Sequence, residues 1–112
     1  MAKINNIPED LKKFVTFDGP NNSGYQMILE FPNNYGASIV NNIYSYTNND
    51  NEFELAVLKK HPEKHEWALC YETEITNDVI GNLTEEEVIE ILYKIKNLVD
   101  NISYELKNIY YN

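Results

Sequence analysis

The residues best equipped for chemistry sit close together. His61 and His65 lie four apart, interleaved with Glu63 and Glu66, and the solitary Cys70 follows. Imidazoles and carboxylates at that spacing are donors for a metal ion, and a thiol near an imidazole is the pair that covalent catalysis would use. Pro62 stands against the metal site, because it breaks the helix that would present both imidazoles on one side. Residues 61–66 therefore read as a solvated loop. Neither a third orienting group nor a glycine turn of oxyanion type accompanies Cys70, which reads as a small packed residue. Gly19, Gly24, Gly36 and Gly81 are too scattered to cradle a phosphate. Asp78, behind Thr76 and Asn77, is in a helix-cap setting. The expectation is a chain with no catalytic residue, no metal ligands and no cofactor.

Carboxylates and phenols are what remain. Eighteen Asp and Glu face nine basic residues, all lysine, for a formal charge of −9. Without arginine there is no planar fork for phosphate or guanine, and the field of the chain repels nucleic acid, so direct nucleic-acid binding is disfavoured. Glu85, Glu86, Glu87 and Glu90 are partly explained as partners of a helix N-terminus. Glu30, Glu54, Glu72 and Glu74 are expected outward on one sheet face, where carboxylates spaced along strands can imitate a phosphate track; the plain alternative is solubility. Tyr35, Tyr44 and Tyr46, with Tyr25 nearby, can supply interface area, although tyrosine in strands is also ordinary packing. The candidate partner-binding residues are Glu30, Glu54, Glu72, Glu74, Tyr35, Tyr44, Tyr46, Glu86 and Glu90.

The elements that must position them fit one domain of 112 residues. Mean hydropathy is −0.51 and no apolar run approaches the length of a membrane span. A lone cysteine and a charged amino terminus point to a reducing cytoplasm. Residues 1–24 read as a cap, with a short helix after Pro8 and a turn-rich mobile loop over 18–24. Strands are predicted over 25–31, 37–47 (with a bend near Asn41 and Asn42), 53–60 and 67–75, the last with Trp67, Leu69, Tyr71 and Ile75 inward and Cys70 facing away from Trp67 and Leu69. Residues 76–81 fit a single helical turn. Thr84 and Glu87 form a capping box, with Leu83 and Val88 as the staple. Behind it, apolar residues recur at helical spacing from Val88 to Ile109, predicting a helix from Glu85 to about Asn108, about 36 Å long, whose end overhangs the sheet. The fold class is α+β: an antiparallel meander of about four strands over 25–75, packed on a long helix within 76–112, with a short N-terminal helix.

Three strings carry a resemblance: FPNNYGAS at 31–38, FELAVL at 53–58 and CYETEITNDVIGNLTEEEV at 70–88. Together they resemble a family of small uncharacterised proteins of phages and prophages of Gram-positive bacteria, over about residues 25–98. The sequence departs from that pattern at Asn34 (glycine expected), at Glu74 (proline expected), across 61–66 and after Val99. Asparagine is the next-best residue for left-handed geometry, so the first departure is mild.

The resemblance implies context more than mechanism. With the charge, it leads to an acidic phage-type protein, not an enzyme, that binds and inhibits a host protein. The partner implied is a basic nucleic-acid-handling effector such as a CRISPR nuclease, blocked by occlusion or nucleic-acid mimicry. A homodimer through the C-terminal helix is a further expectation. The alternative is an oligomeric protein that sequesters a small molecule or signal nucleotide, and an enzyme using Cys70 or the His61 and His65 loop ranks last.

Overall fold

The computed structural model describes residues 3–45, 47, 51–70, 73, 75–76 and 79–99. Helix α1 (Glu9–Lys12) precedes strands β1 (Val15–Asn21), β2 (Gly24–Glu30), β3 (Tyr35–Asn41), β4 (Phe53–Lys60), β5 (Trp67–Leu69) and β6 (Ile80–Leu83), and helix α2 (Glu85–Lys96) follows. The sheet is an antiparallel meander in the order β1-β2-β3-β4-β5, and β6 also pairs with β4. β5 and β6 share one edge of β4, the former beside Leu58 and Lys60, the latter beside Phe53 and Leu55.

Side chains alternate across a strand, so register decides which residues share a face. Met27 pairs with Ile39 and Ile39 with Leu55, and the odd-numbered residues of β2, β3 and β4 form one continuous apolar face. Val88, Leu92 and Ile95, all fully buried, lay one stripe of α2 on it. Ile4 and Leu11 close the same side from the N-terminal segment. Each such side chain contributes roughly 1.5–3 kcal/mol by leaving water.

Two turns set the register. Asn22 and Ser23, at φ 47° and 59°, form a two-residue connection from β1 to β2 with both central positions left-handed, which suits the twist of a hairpin. Between β2 and β3, Asn34 takes φ 69°, the geometry for which asparagine substitutes for glycine. Two residues on, a Cβ at Gly36 would fall 2.3 Å from the Leu29 carbonyl oxygen, so no side chain fits there.

Asn33, in that turn, also ends the helix. Its Nδ2 donates to the carbonyl oxygens of Ile95 (2.8 Å), Lys96 (3.1 Å) and Leu98 (2.9 Å), while its Oδ1 accepts from the Tyr35 backbone N–H. A helix leaves its last carbonyls unpaired, and this one amide satisfies three of that region.

The start of α2 matches its expectation: the Thr84 hydroxyl accepts from the Glu87 N–H and the Glu87 carboxylate from the Thr84 N–H. Its end does not. The helix stops at Lys96, where Asn33 takes the carbonyls, instead of running to Asn108; residues 100–112 lie outside the described residues. The sheet has six strands against about four expected. The turn formers at 18–21 lie in β1, an edge strand that tolerates Pro20 because its N–H side has no ladder to complete. The second predicted strand stops at Asn41, since Asn42 and Ser45 close a turn through side-chain bonds to backbone. Ile80 and Gly81 belong to β6, not to a helical turn; Asn77 and Asp78 lie outside the described residues. No helix among the described residues is long and apolar enough to cross a membrane.

Removing the amide should therefore weaken the whole fold. Asn33→Ala is expected to lower the unfolding free energy by about 1–3 kcal/mol, and Asn33→Asp, isosteric but without an N–H donor and negative at a helix C-terminus, by at least as much. A urea titration checks this through a lower midpoint at unchanged slope.

Candidate interaction surface

The even-numbered side of the sheet carries neither helix. Its floor is Ile28 on β2, Ser38 on β3 and Leu58 on β4, its walls Phe17 on β1 and Trp67 and Leu69 on β5, around a groove of about 580 Å³. The register explains the grouping: Phe17 pairs with Ile28, Gly36 with Leu58 and Leu58 with Leu69. Phe17 and Leu69 are 40% and 52% exposed, although both are large and apolar. The Trp67 ring reaches across β4 to lie against Gly36, where its Cζ3 stands 3.3 Å from the position a Cβ would take. At one end a polar chain runs from Asn42 through Asn21 to Gln26 and on to the Ser38 hydroxyl, which accepts from Gln26 Nε2 at 2.9 Å. Glu30 lines the other end.

Those of the expected partner-binding residues that are described lie dispersed. Glu30 and Glu54 do share the even face, but at opposite corners, about 16 Å apart at ~3.3 Å per residue and ~4.8 Å per strand, with uncharged residues between. Glu86 and Glu90 are exposed on α2, one turn apart. Tyr44 is 74% exposed in the turn after β3. Tyr35 is 3% exposed and offers no contact surface; its ring is covered by Lys59, whose Nζ stands 5.2 Å from the centroid. Tyr46, Glu72 and Glu74 lie outside the described residues.

Several groups that looked chemical are tied into the architecture. Glu85 Oε1 accepts from the Asn5 and Asn6 N–H groups at 2.5 and 2.9 Å, anchoring the N-terminal segment to the start of α2. His61 Nδ1 accepts from the Glu63 and Lys64 N–H groups at 3.2 and 3.1 Å, so the imidazole organises its own turn. His65 adopts φ 56° in that turn. Among the described residues no group of three His, Cys, Asp or Glu side chains could hold a metal ion. Tyr93 donates to Asp10 at 2.8 Å, joining α1 to α2, and this bond holds its phenol above the ordinary range.

The sequence reading turned β5 over. Trp67 and Leu69 were expected inward, but register places them on the face away from α2, and Cys70, expected outward, packs against the core. β5 ends at Leu69, so the pattern read through residue 75 is not one strand. Phe17, Ile28, Leu58, Trp67 and Leu69 were thus missed as a group. The available signal was in residues 53–58, where Ala56 and Leu58 continue the apolar run on the parity opposite to Leu55 and Val57. Comparison with protein-family models, curated proteins and solved structures returns no match to this chain.

Of the phenols buried in the core, Tyr25 has its titration shifted by its surroundings. It is 2% exposed, with its hydroxyl beside the Asp18 carboxylate. Burial first, and then the neighbouring Asp18 carboxylate, push its phenol well above the usual 10. The folded state thus favours the neutral phenol: its contribution to stability is complete below about pH 10 and falls as pH rises further. Tyr25→Phe is expected to change stability at pH 7 by less than about 1 kcal/mol and to flatten the alkaline loss, read from urea unfolding at neutral and alkaline pH.

Proposed function

We propose that this protein binds another protein and acts by covering its surface, without chemistry of its own. The observation that carries the reading is the even face: a groove of about 580 Å³ with Phe17 and Leu69 exposed beside it, in a chain of net charge −9. Large apolar side chains left to water around a concave surface with a polar rim mark interaction sites. The resemblance to phage and prophage proteins supplies the setting, in which the partner is a host defence protein, a basic nucleic-acid-handling nuclease among them, and the role is anti-CRISPR or anti-defence inhibition in the bacterial cytoplasm.

Within that role the geometry favours occlusion over mimicry. The separation of Glu30 from Glu54 leaves no described row of carboxylates on the sheet to trace a phosphate backbone. Charge then serves approach more than grip, steering an acidic protein toward a basic one. The described stripe of α2 is buried against the sheet, so a homodimer through the C-terminal helix would rest on residues 100–112.

The groove volume also supports a second reading, sequestration of a small molecule, since ligand sites occupy about 300–1,000 Å³. The missing arginine disfavours a nucleotide there. Native mass spectrometry of protein from a defence-active host separates the two: a retained ligand mass supports sequestration, a bare chain supports protein binding.

The binding partner is reached by affinity capture from host lysate, followed by kinetics of the purified pair across salt. Association is expected to slow by roughly tenfold or more as salt rises while dissociation changes little. Competition by nucleic acid with steep salt dependence of dissociation would restore mimicry; capture of no protein would remove the proposed function.

A further inference from the structure

We infer that the groove between Phe17 and the Trp67–Leu69 edge is the seat of an amphipathic helix of the partner, apolar on one side and rich in lysine or arginine on its flanks. The inference rests on the protein-binding reading above and names the surface and the chemistry that meets it. An antiparallel sheet commonly leaves a polar face to water, but here α2 and the N-terminal segment both occupy the odd side while the even side keeps Phe17 and Leu69 exposed. The even side is shaped as a trough. Phe17 rises on one flank, Trp67 and Leu69 on the other, and the floor between them holds Ile28, Ser38 and Leu58. The walls stand on β1 and β5, roughly 19 Å apart at ~4.8 Å per strand, and the Trp67 ring, reaching over β4 to Gly36, narrows that space toward the diameter of one helix, about 10–12 Å.

Charge selects among occupants. A second copy would bring another −9 to the interface. The groove itself is lined by Glu30, Glu54 shares its face and Glu66 adjoins Trp67, with Lys60 opposite Trp67 as the basic residue of that face. Cationic flanks complement this rim and acidic flanks oppose it.

Trp67 is the single tryptophan of the chain and lines the groove, so its fluorescence reports occupancy directly. The probes are two tryptophan-free peptides with leucines at helical spacing, one flanked by lysine and the other by glutamate, added to the full chain. The lysine peptide is expected to shift Trp67 emission to the blue and the glutamate peptide to leave it unchanged. Leu69→Ser and Phe17→Ser, at exposed positions, should each weaken the lysine peptide by roughly tenfold, whereas Glu86→Gln with Glu90→Gln on α2 should leave binding within about twofold. Equal response to both peptides, or loss only in the α2 variant, overturns the assignment. So does a free chain whose Trp67 is already shielded from acrylamide, because its own residues then fill the groove, or becomes shielded as its concentration rises, because a second copy does. A failed peptide test with a partner still captured from lysate sinks the groove assignment alone; a groove that takes the peptide while no partner is captured sinks the function.

Discussion

One helix covers one side of a sheet, and the remaining features follow from that asymmetry. Val88, Leu92 and Ile95 fit the odd-numbered face of β2, β3 and β4, and because side chains alternate, burying that face commits every even-numbered residue to the other. A slip of one residue would exchange Leu29 and Ile39 for Ile28 and Ser38. The slip is blocked by backbone approach: a Cβ at Gly24 would fall 2.0 Å from the Asn41 carbonyl oxygen, and one at Gly36 would meet Leu29 as closely. Asn33 then ties the β2–β3 turn to the end of α2, so sheet register and helix position are fixed by the same eight-residue string, 31–38.

That string shows why part of the fold was readable and part was not. The strand signals over 25–31 and 53–60, the positive-φ tolerance of Asn34 and the box formed by Thr84 and Glu87 are local, and the structure has strands at Gly24–Glu30 and Phe53–Lys60, a left-handed Asn34 and the capping box. The helix end was hidden because apolar spacing continues past Lys96, while the amide that stops the helix lies over sixty residues earlier in the chain. β1 was hidden because Gly19, Pro20 and Asn21 look like a loop, and only pairing with β2 makes them a strand. Trp67 and Leu69 were placed on the wrong side because three residues of strand carry no parity of their own; β4 assigns it.

The candidate site was less legible than the fold. Side chains with potential for chemistry prove to be structural, among them His61 in its turn and Tyr35 beneath Lys59, and Glu85, expected at the helix start, also holds Asn5 and Asn6. Carboxylates therefore divide into those that fasten elements and those that face water, such as Glu86 and Glu90, and net charge alone does not separate the two sets. The candidate surface is instead largely apolar, and its members come from five strands that no contiguous motif unites.

The central claim is that the even face of the sheet, and not the acidic face of α2, meets the partner. Hydroxyl-radical footprinting of the full chain, alone and in the captured complex, tests it at side-chain resolution. The account predicts protection of Phe17, Trp67 and Leu69 on binding, with Tyr44 and Tyr93 unchanged. Unaltered oxidation at those three positions, with protection along α2 instead, would contradict it.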